Sequence, residues 1–146
     1  MATLPTPELS GGAGFLIDSN VIIDIITRDP IWYVWSVFAL GTAARSSAIY
    51  INPLIYAEIS TQFDDLADLD ATLTSGIVRR ASLPNSAAFL AAKAFEAYRR
   101  NGGDRRSPLP DFYIGAHAVV QGMTLVTRDV ARYKTYFPTL KLMSPE

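Results

Sequence analysis

From Phe15 onward, apolar runs of three or four residues alternate with stretches of helical spacing, and this alternation constrains the fold more than any other feature of the 146 residues. Runs at 15–17, 48–51, 124–126 and 140–142 have strand length, and 76–83 is a further candidate that Arg79 and Arg80 restrict to a sheet edge. Helical spacing is predicted from Asn20 to the Asp29-Pro30 break, over 32–44, from Pro53 through Thr61, and over 64–73. A longer helix should start at an Asn85 cap, carry Ala88, Ala92 and Phe95 on one face, and stop at Gly102. Two more should open at Asp111, ending before Gly122, and at Asp129. Strands that alternate with helices imply βαβ units, hence a mainly parallel sheet with helices on both faces. The first 14 residues are rich in Pro, Gly, Ser and Thr and read as a flexible lead-in, which leaves 15–146 as one folded domain.

Composition narrows the chemistry. Hydrophobic residues make up 49% and charged residues 18%, too apolar a mixture for a disordered chain. The absence of cysteine excludes disulfide scaffolds, thiolate zinc sites and cysteine nucleophiles. His117 is the only histidine, six residues past Asp111, and is expected to pack or lie at the surface rather than bind metal. No apolar run approaches the ~18 residues of a membrane span, and the N-terminus has no basic, apolar leader, so a soluble cytoplasmic protein is expected. The net charge of -1 conceals an asymmetry. Residues 1–73 hold nine acids against two bases, and residues 74–146 hold eleven bases against five acids, a division that suits an acidic site beside a basic surface.

In an open parallel sheet the ligand site lies off the carboxyl ends of the strands. Asp18 follows the first strand directly, Asp129 follows the Thr124–Val126 run closely, Asp111 opens a helix after a basic loop, and Glu58 lies one turn into the helix after the second strand. Four acids from four segments can therefore meet at one rim. Crowded carboxylates raise one another's pKa unless a cation is present, and a hard divalent ion such as Mg2+ or Mn2+ takes oxygen ligands of this kind. Such an ion activates water and polarises a phosphoryl oxygen, which makes phosphodiester hydrolysis the natural reaction. Each aspartate taken singly also suits a helix N-cap, and Glu58 a solvated helical position. Capping does not explain the Asp-x-Asn sequence at 18–20 or an acid interrupting the apolar run before Ile59.

The stretches FLIDSNVII (15–23), NPLIYAEI (52–59), PDFYIGAHA (110–118) and TLVTRD (124–129) resemble the four signatures of PIN-domain ribonucleases, with the VapC type of toxin–antitoxin pairs the best match. The resemblance covers residues 15–143 and implies a three-layer α/β/α sandwich around a mainly parallel sheet of five strands. It also implies that Asp18, Glu58, Asp111 and Asp129 bind the metal and do the catalysis, with Asn20 and Thr127 orienting carboxylates from behind. RNA as substrate, a small cognate antitoxin as partner and a homodimer follow from the same resemblance. Alternatives are a PIN nuclease of RNA processing, a phospho-receiver domain, for which the late lysine is absent, and a catalytically idle binding module.

Six arginines, Arg99, Arg100, Arg105, Arg106, Arg128 and Arg132, cluster in sequence around the third and fourth acids. Guanidinium groups suit phosphate, and Arg105, Arg106 and Arg128 are the expected RNA contacts. Asp24, Asp29 and Asp104 are expected at the surface. Trp32, Tyr33 and Trp35 suit the core or a protein interface better than a base-stacking platform.

Overall fold

The computed structural model describes residues 14–73, 77–103 and 109–145. Among these residues five strands, β1 (Phe15–Ile17), β2 (Ile49–Ile51), β3 (Val78–Arg80), β4 (Thr124–Val126) and β5 (Leu142–Met143), form one sheet in the order β3-β2-β1-β4-β5, and the pairings between them are parallel. The expected strand at 140–142 forms two residues later, because Leu140 turns into the core and only Leu142 and Met143 pair with β4. β3 is an edge strand with both arginines exposed, as its composition requires.

Among the described residues seven helices connect the strands: α1 (Ser19–Thr27), α2 (Tyr33–Ser46), α3 (Pro53–Ser60), α4 (Leu66–Leu73), α5 (Asn85–Arg100), α6 (Leu109–Gln121) and α7 (Val130–Tyr136). The chain travels outward from β1 to β3 and then returns past β1 to β4 and β5. Right-handed crossovers therefore put the helices before and after β3 on opposite faces, giving an α/β/α sandwich. This reversal makes the carboxyl edge between β1 and β4 a topological switch point, where such sheets open a crevice.

Local chemistry explains most helix boundaries. Asn52 Oδ1 accepts from the Ile55 N–H at 2.9 Å and Pro53 follows as the first helical residue of α3. α1 ends at Arg28 in the left-handed region, and Asp29 Oδ1 then accepts from the Ile31 and Trp32 N–H groups, each at 2.9 Å, which turns the chain toward α2. Asn85 is not the cap expected of it. Pro84 occupies that position, no side chain caps α5, and Asn85 is already helical. The buried face of α5 is Ala87, Ala91 and Ala94, not Ala88 and Ala92, and α5 and α6 pack closely through these small side chains. α6 contributes Gly115, where a Cβ would lie 2.6 Å from the ring of Phe137, so only glycine lets that ring close over the helix.

Candidate active site

The β1–β4 register brings Ile17 opposite Val126, so the residues that follow them, Asp18 and Thr127, emerge side by side at the carboxyl edge. The Asp18 N–H donates to the Val126 carbonyl at 2.9 Å, fixing the end of the strand pair. Asp18 is 4% exposed. Its Oδ2 accepts from the Thr127 hydroxyl at 2.8 Å and the Tyr133 hydroxyl at 3.0 Å, with Asn20 Nδ2 at 3.5 Å, while Oδ1 accepts from the Ser19 N–H at 2.8 Å. Oδ2 is thus saturated, and Oδ1 keeps a lone pair for a further partner. Burial raises the Asp18 carboxyl from 3.8 to about 6, against the hydrogen bonds from Thr127 and Tyr133, and the charges of Asp111 and Glu58 add to the rise.

Asn20 and Thr127, expected to orient the acids, form a connected set. Asn20 Nδ2 also lies 3.3 Å from Thr127 Oγ1, Asn20 Oδ1 accepts weakly from the Arg128 N–H at 3.4 Å, and Thr127 Oγ1 accepts from the Asp129 N–H at 3.0 Å. Glu58 comes in from α3 and accepts from the Ser19 hydroxyl at 2.7 Å; burial lifts its pKa and the Asp111 charge adds to it. Asp111 lies in the first turn of α6 rather than at its cap, and burial raises its pKa although Arg132 opposes the shift. Asp129 precedes α7 but its side chain makes no capping bond. Only Asp18 of the three aspartates caps a helix, so capping does not account for the set.

The charges of Glu58 and Asp111 act on Asp18, that of Asp111 on Glu58, and that of Asp129 on Asp111. The four acids therefore share one region of the switch-point crevice. Among the described residues, however, no three acids close around a single point. A side chain that sequence reasoning did not place at the site intervenes. Arg132 pairs with Asp111 Oδ2 and lies 3.7 Å from Asp129 Oδ2, so an internal cation bridges two of the four carboxylates. Tyr133 and Ser19 were also missed. Ser19 directly follows Asp18, whereas Tyr133 is four residues past Asp129, spacing that turns it back over the crevice from α7. The donor set is entirely carboxylate, neighbouring carboxylates add to the raised pKa of Asp18, Glu58 and Asp111, and the set attracts a cation already on the chain, so its chemistry fits a hard divalent ion.

One expectation is corrected nearby. Asp24, expected at the surface, is 2% exposed and anchors the switch point from beneath: Arg128 Nε and Nη2 donate to its two oxygens at 2.7 and 2.9 Å, and the Ser36 hydroxyl donates at 2.8 Å. Arg128, the expected RNA contact, makes that bidentate pair, with its guanidinium 5.1 Å from the centre of the Trp32 ring. Asp104, Arg105 and Arg106 lie outside the described residues, as does the expected lead-in except Gly14. His117 is a packed residue. It is 1% exposed, accepts at Nδ1 from Asn52 Nδ2 at 3.0 Å, and is kept neutral by burial that lowers its pKa.

Comparison with known proteins adds the lineage. No curated protein sequence matches the chain. Among solved structures it is similar to a chain of VapBC2 from Rickettsia felis bound to a promoter DNA fragment, at 17% identity and TM-score 0.69 over 92% of this chain and 100% of that one. VapBC-1 from nontypeable Haemophilus influenzae is similar at 13% identity and TM-score 0.69, covering 90% of this chain and 98% of that one. DNA-bound VapBC from Salmonella typhimurium is similar at 20% identity and TM-score 0.65, covering 90% and 97%. These likenesses establish a shared fold. Residues 15–138 match the PIN domain family, nearly the whole described chain from the first strand to the end of the last helix, and the protein belongs to that family.

Proposed function

We propose that the chain is a divalent-metal-dependent endoribonuclease that hydrolyses RNA phosphodiester bonds, acting in the cytoplasm as the toxin of a VapC-type toxin–antitoxin pair. The observation that carries the reading is the gathering of Asp18, Glu58, Asp111 and Asp129, from four separate segments, at the topological switch point of a PIN fold. These four acids would hold Mg2+ or Mn2+. When bound, such an ion polarises a phosphoryl oxygen and makes water acidic enough to attack at neutral pH.

The rest of the work falls to the chain's own groups. Thr127, Tyr133 and Asn20 fix Oδ2 of Asp18, the Ser19 amide shares Oδ1, and the Ser19 hydroxyl holds Glu58. Those contacts orient both carboxylates before any cation arrives, which lowers the cost of ordering them. Arg132 shields Asp111 and Asp129 from each other in the absence of metal. Arg105, Arg106 and Arg128 are proposed to hold the RNA backbone; Arg128 gives Nε and Nη2 to Asp24, and its Nη1 donors would serve a phosphate.

The solved neighbours are VapBC pairs, which supports a small antitoxin as partner. On and just before α2 the chain exposes Ile31, Val34 and Phe38, each more than half accessible and at helical spacing, an apolar stripe suited to the antitoxin or to a homodimer. Among the described residues no helix is long and apolar enough to cross a membrane. The test is RNA cleavage by purified protein with Mg2+ or Mn2+ and with excess EDTA. Cleavage should require the metal and fall by orders of magnitude in both Asp18→Asn and Asp111→Asn with the fold retained. Undiminished cleavage in EDTA would overturn the reading.

A further inference from the structure

Beside the acids lies a cavity of about 370 Å³ whose aromatic wall the nuclease reading leaves without a role. One wall is aromatic. Tyr98 from α5 and Tyr136 from α7, both half-buried, meet there edge to face at 5.7 Å, backed by the buried Phe112 of α6 at 5.4 Å from Tyr98 and 5.8 Å from Tyr136. The opposite character comes from Asp129, Arg132 and Thr135, which supply a carboxylate, a guanidinium and a hydroxyl. Two of these polar residues belong to the acid site itself: Asp129 is one of the four carboxylates, and Arg132 pairs with Asp111. The cavity is thus continuous with the place where a phosphodiester would react.

A ligand suited to this lining is flat, has an unsaturated face for the rings, carries both hydrogen-bond donors and acceptors at its edge, and is attached to a phosphate. A nucleobase meets all four conditions, and stacking on aromatic side chains is the usual way that single-stranded nucleic acid is held. The volume is ample for one base with its ribose. We propose that this cavity is a nucleobase subsite, which takes the base adjoining the scissile phosphate and so contributes to where the RNA is cut. The inference rests on the proposed nuclease function, because it takes the phosphate to be held at the neighbouring acids.

Ala131 provides the means to test it. It lines the cavity, is exposed, and sits on α7 with its side chain outside the core, so Ala131→Phe fills the space without removing any packed group. The probes are the four nucleoside 5′-monophosphates and ribose 5-phosphate, titrated calorimetrically in the presence of Mn2+. At least one nucleotide should bind about 5- to 150-fold more tightly than ribose 5-phosphate, the range that a stacked base contributes. Ala131→Phe should abolish that difference while leaving ribose 5-phosphate affinity within about twofold. Tyr136→Leu, which keeps apolar bulk but removes the ring, should reduce the difference, and thermal unfolding of both variants checks that they fold.

Equal affinity for nucleotides and ribose 5-phosphate would overturn the subsite, as expected if a protein side chain is what the cavity receives. Retention of the full difference in Ala131→Phe would overturn it too. The nuclease reading is judged separately by metal-dependent RNA cleavage. Cleavage without base discrimination removes only the subsite, and discrimination without cleavage removes only the hydrolytic step.

Discussion

Asp18 makes the metal-free protein less stable at the pH where it would work. Its carboxyl titrates at 3.8 before folding and at about 6 in the fold, chiefly because burial disfavours the charge. The folded state therefore holds the proton more tightly than the unfolded chain, and stability is lost as pH rises from about 4 to above 6. A rise from 3.8 to about 6 corresponds to about 3 kcal/mol, a large part of the margin of a small domain. Glu58 and Asp111 are shifted in the same direction and steepen the decline. His117 opposes them: its folded pKa is lowered, so its contribution is lost as pH falls below the ordinary histidine value of 6.5. Comparing wild type with Asp18→Asn isolates the aspartate. Urea unfolding in EDTA should show the wild type losing about 3 kcal/mol relative to the variant between about pH 4 and about pH 7. Saturating Mn2+ should reverse the trend in the wild type, because a bound cation favours the ionised carboxylate. Parallel pH profiles for the two proteins would refute the account of Asp18 as a buried, reluctantly ionised group.

Three further outcomes follow from named contacts. Arg132→Gln removes an internal competitor for Asp111 and Asp129; at about 0.2–1 kcal/mol for each pair, both open to solvent on the arginine side, Mn2+ affinity measured by calorimetry should rise about two- to thirtyfold, and unchanged or weaker binding would contradict the competition. Asp24→Ala strands Arg128 and the Ser36 hydroxyl beside the switch point and should cost about 2–4 kcal/mol by chemical denaturation, whereas a loss under about 0.5 kcal/mol would show the bidentate pair to be dispensable. Gly115→Ala pushes a methyl group into the Phe137 ring and should destabilise by about 1–3 kcal/mol in the same assay; a neutral result would mean that the ring shifts freely.

What the sequence made legible and what it concealed divide along a physical line. β1, β2 and β4 are read correctly to within a residue because each is an apolar triplet closed by a polar residue, and the acids could be placed because each stands at a fixed offset from such a strand or its helix. The buried face of α5 was not legible. Alanine at 87, 88, 91, 92, 94 and 97 offers two equivalent stripes, and only docking on α6 selects Ala87, Ala91 and Ala94. Arg128 and Arg132 were concealed for a different reason: an arginine near an acid in sequence reads equally as a phosphate contact or as a solvated charge, and its partner is decided by strand order. Because β4 pairs with β1, Arg128 emerges over α1 and finds Asp24, about one and two-thirds helical turns past Asp18. That pair cannot be read from either motif alone. It joins the two segments that carry Asp18 and Thr127, so the arginine that reads in sequence as a phosphate contact also holds together the two chain segments on which the first carboxylate of the site depends.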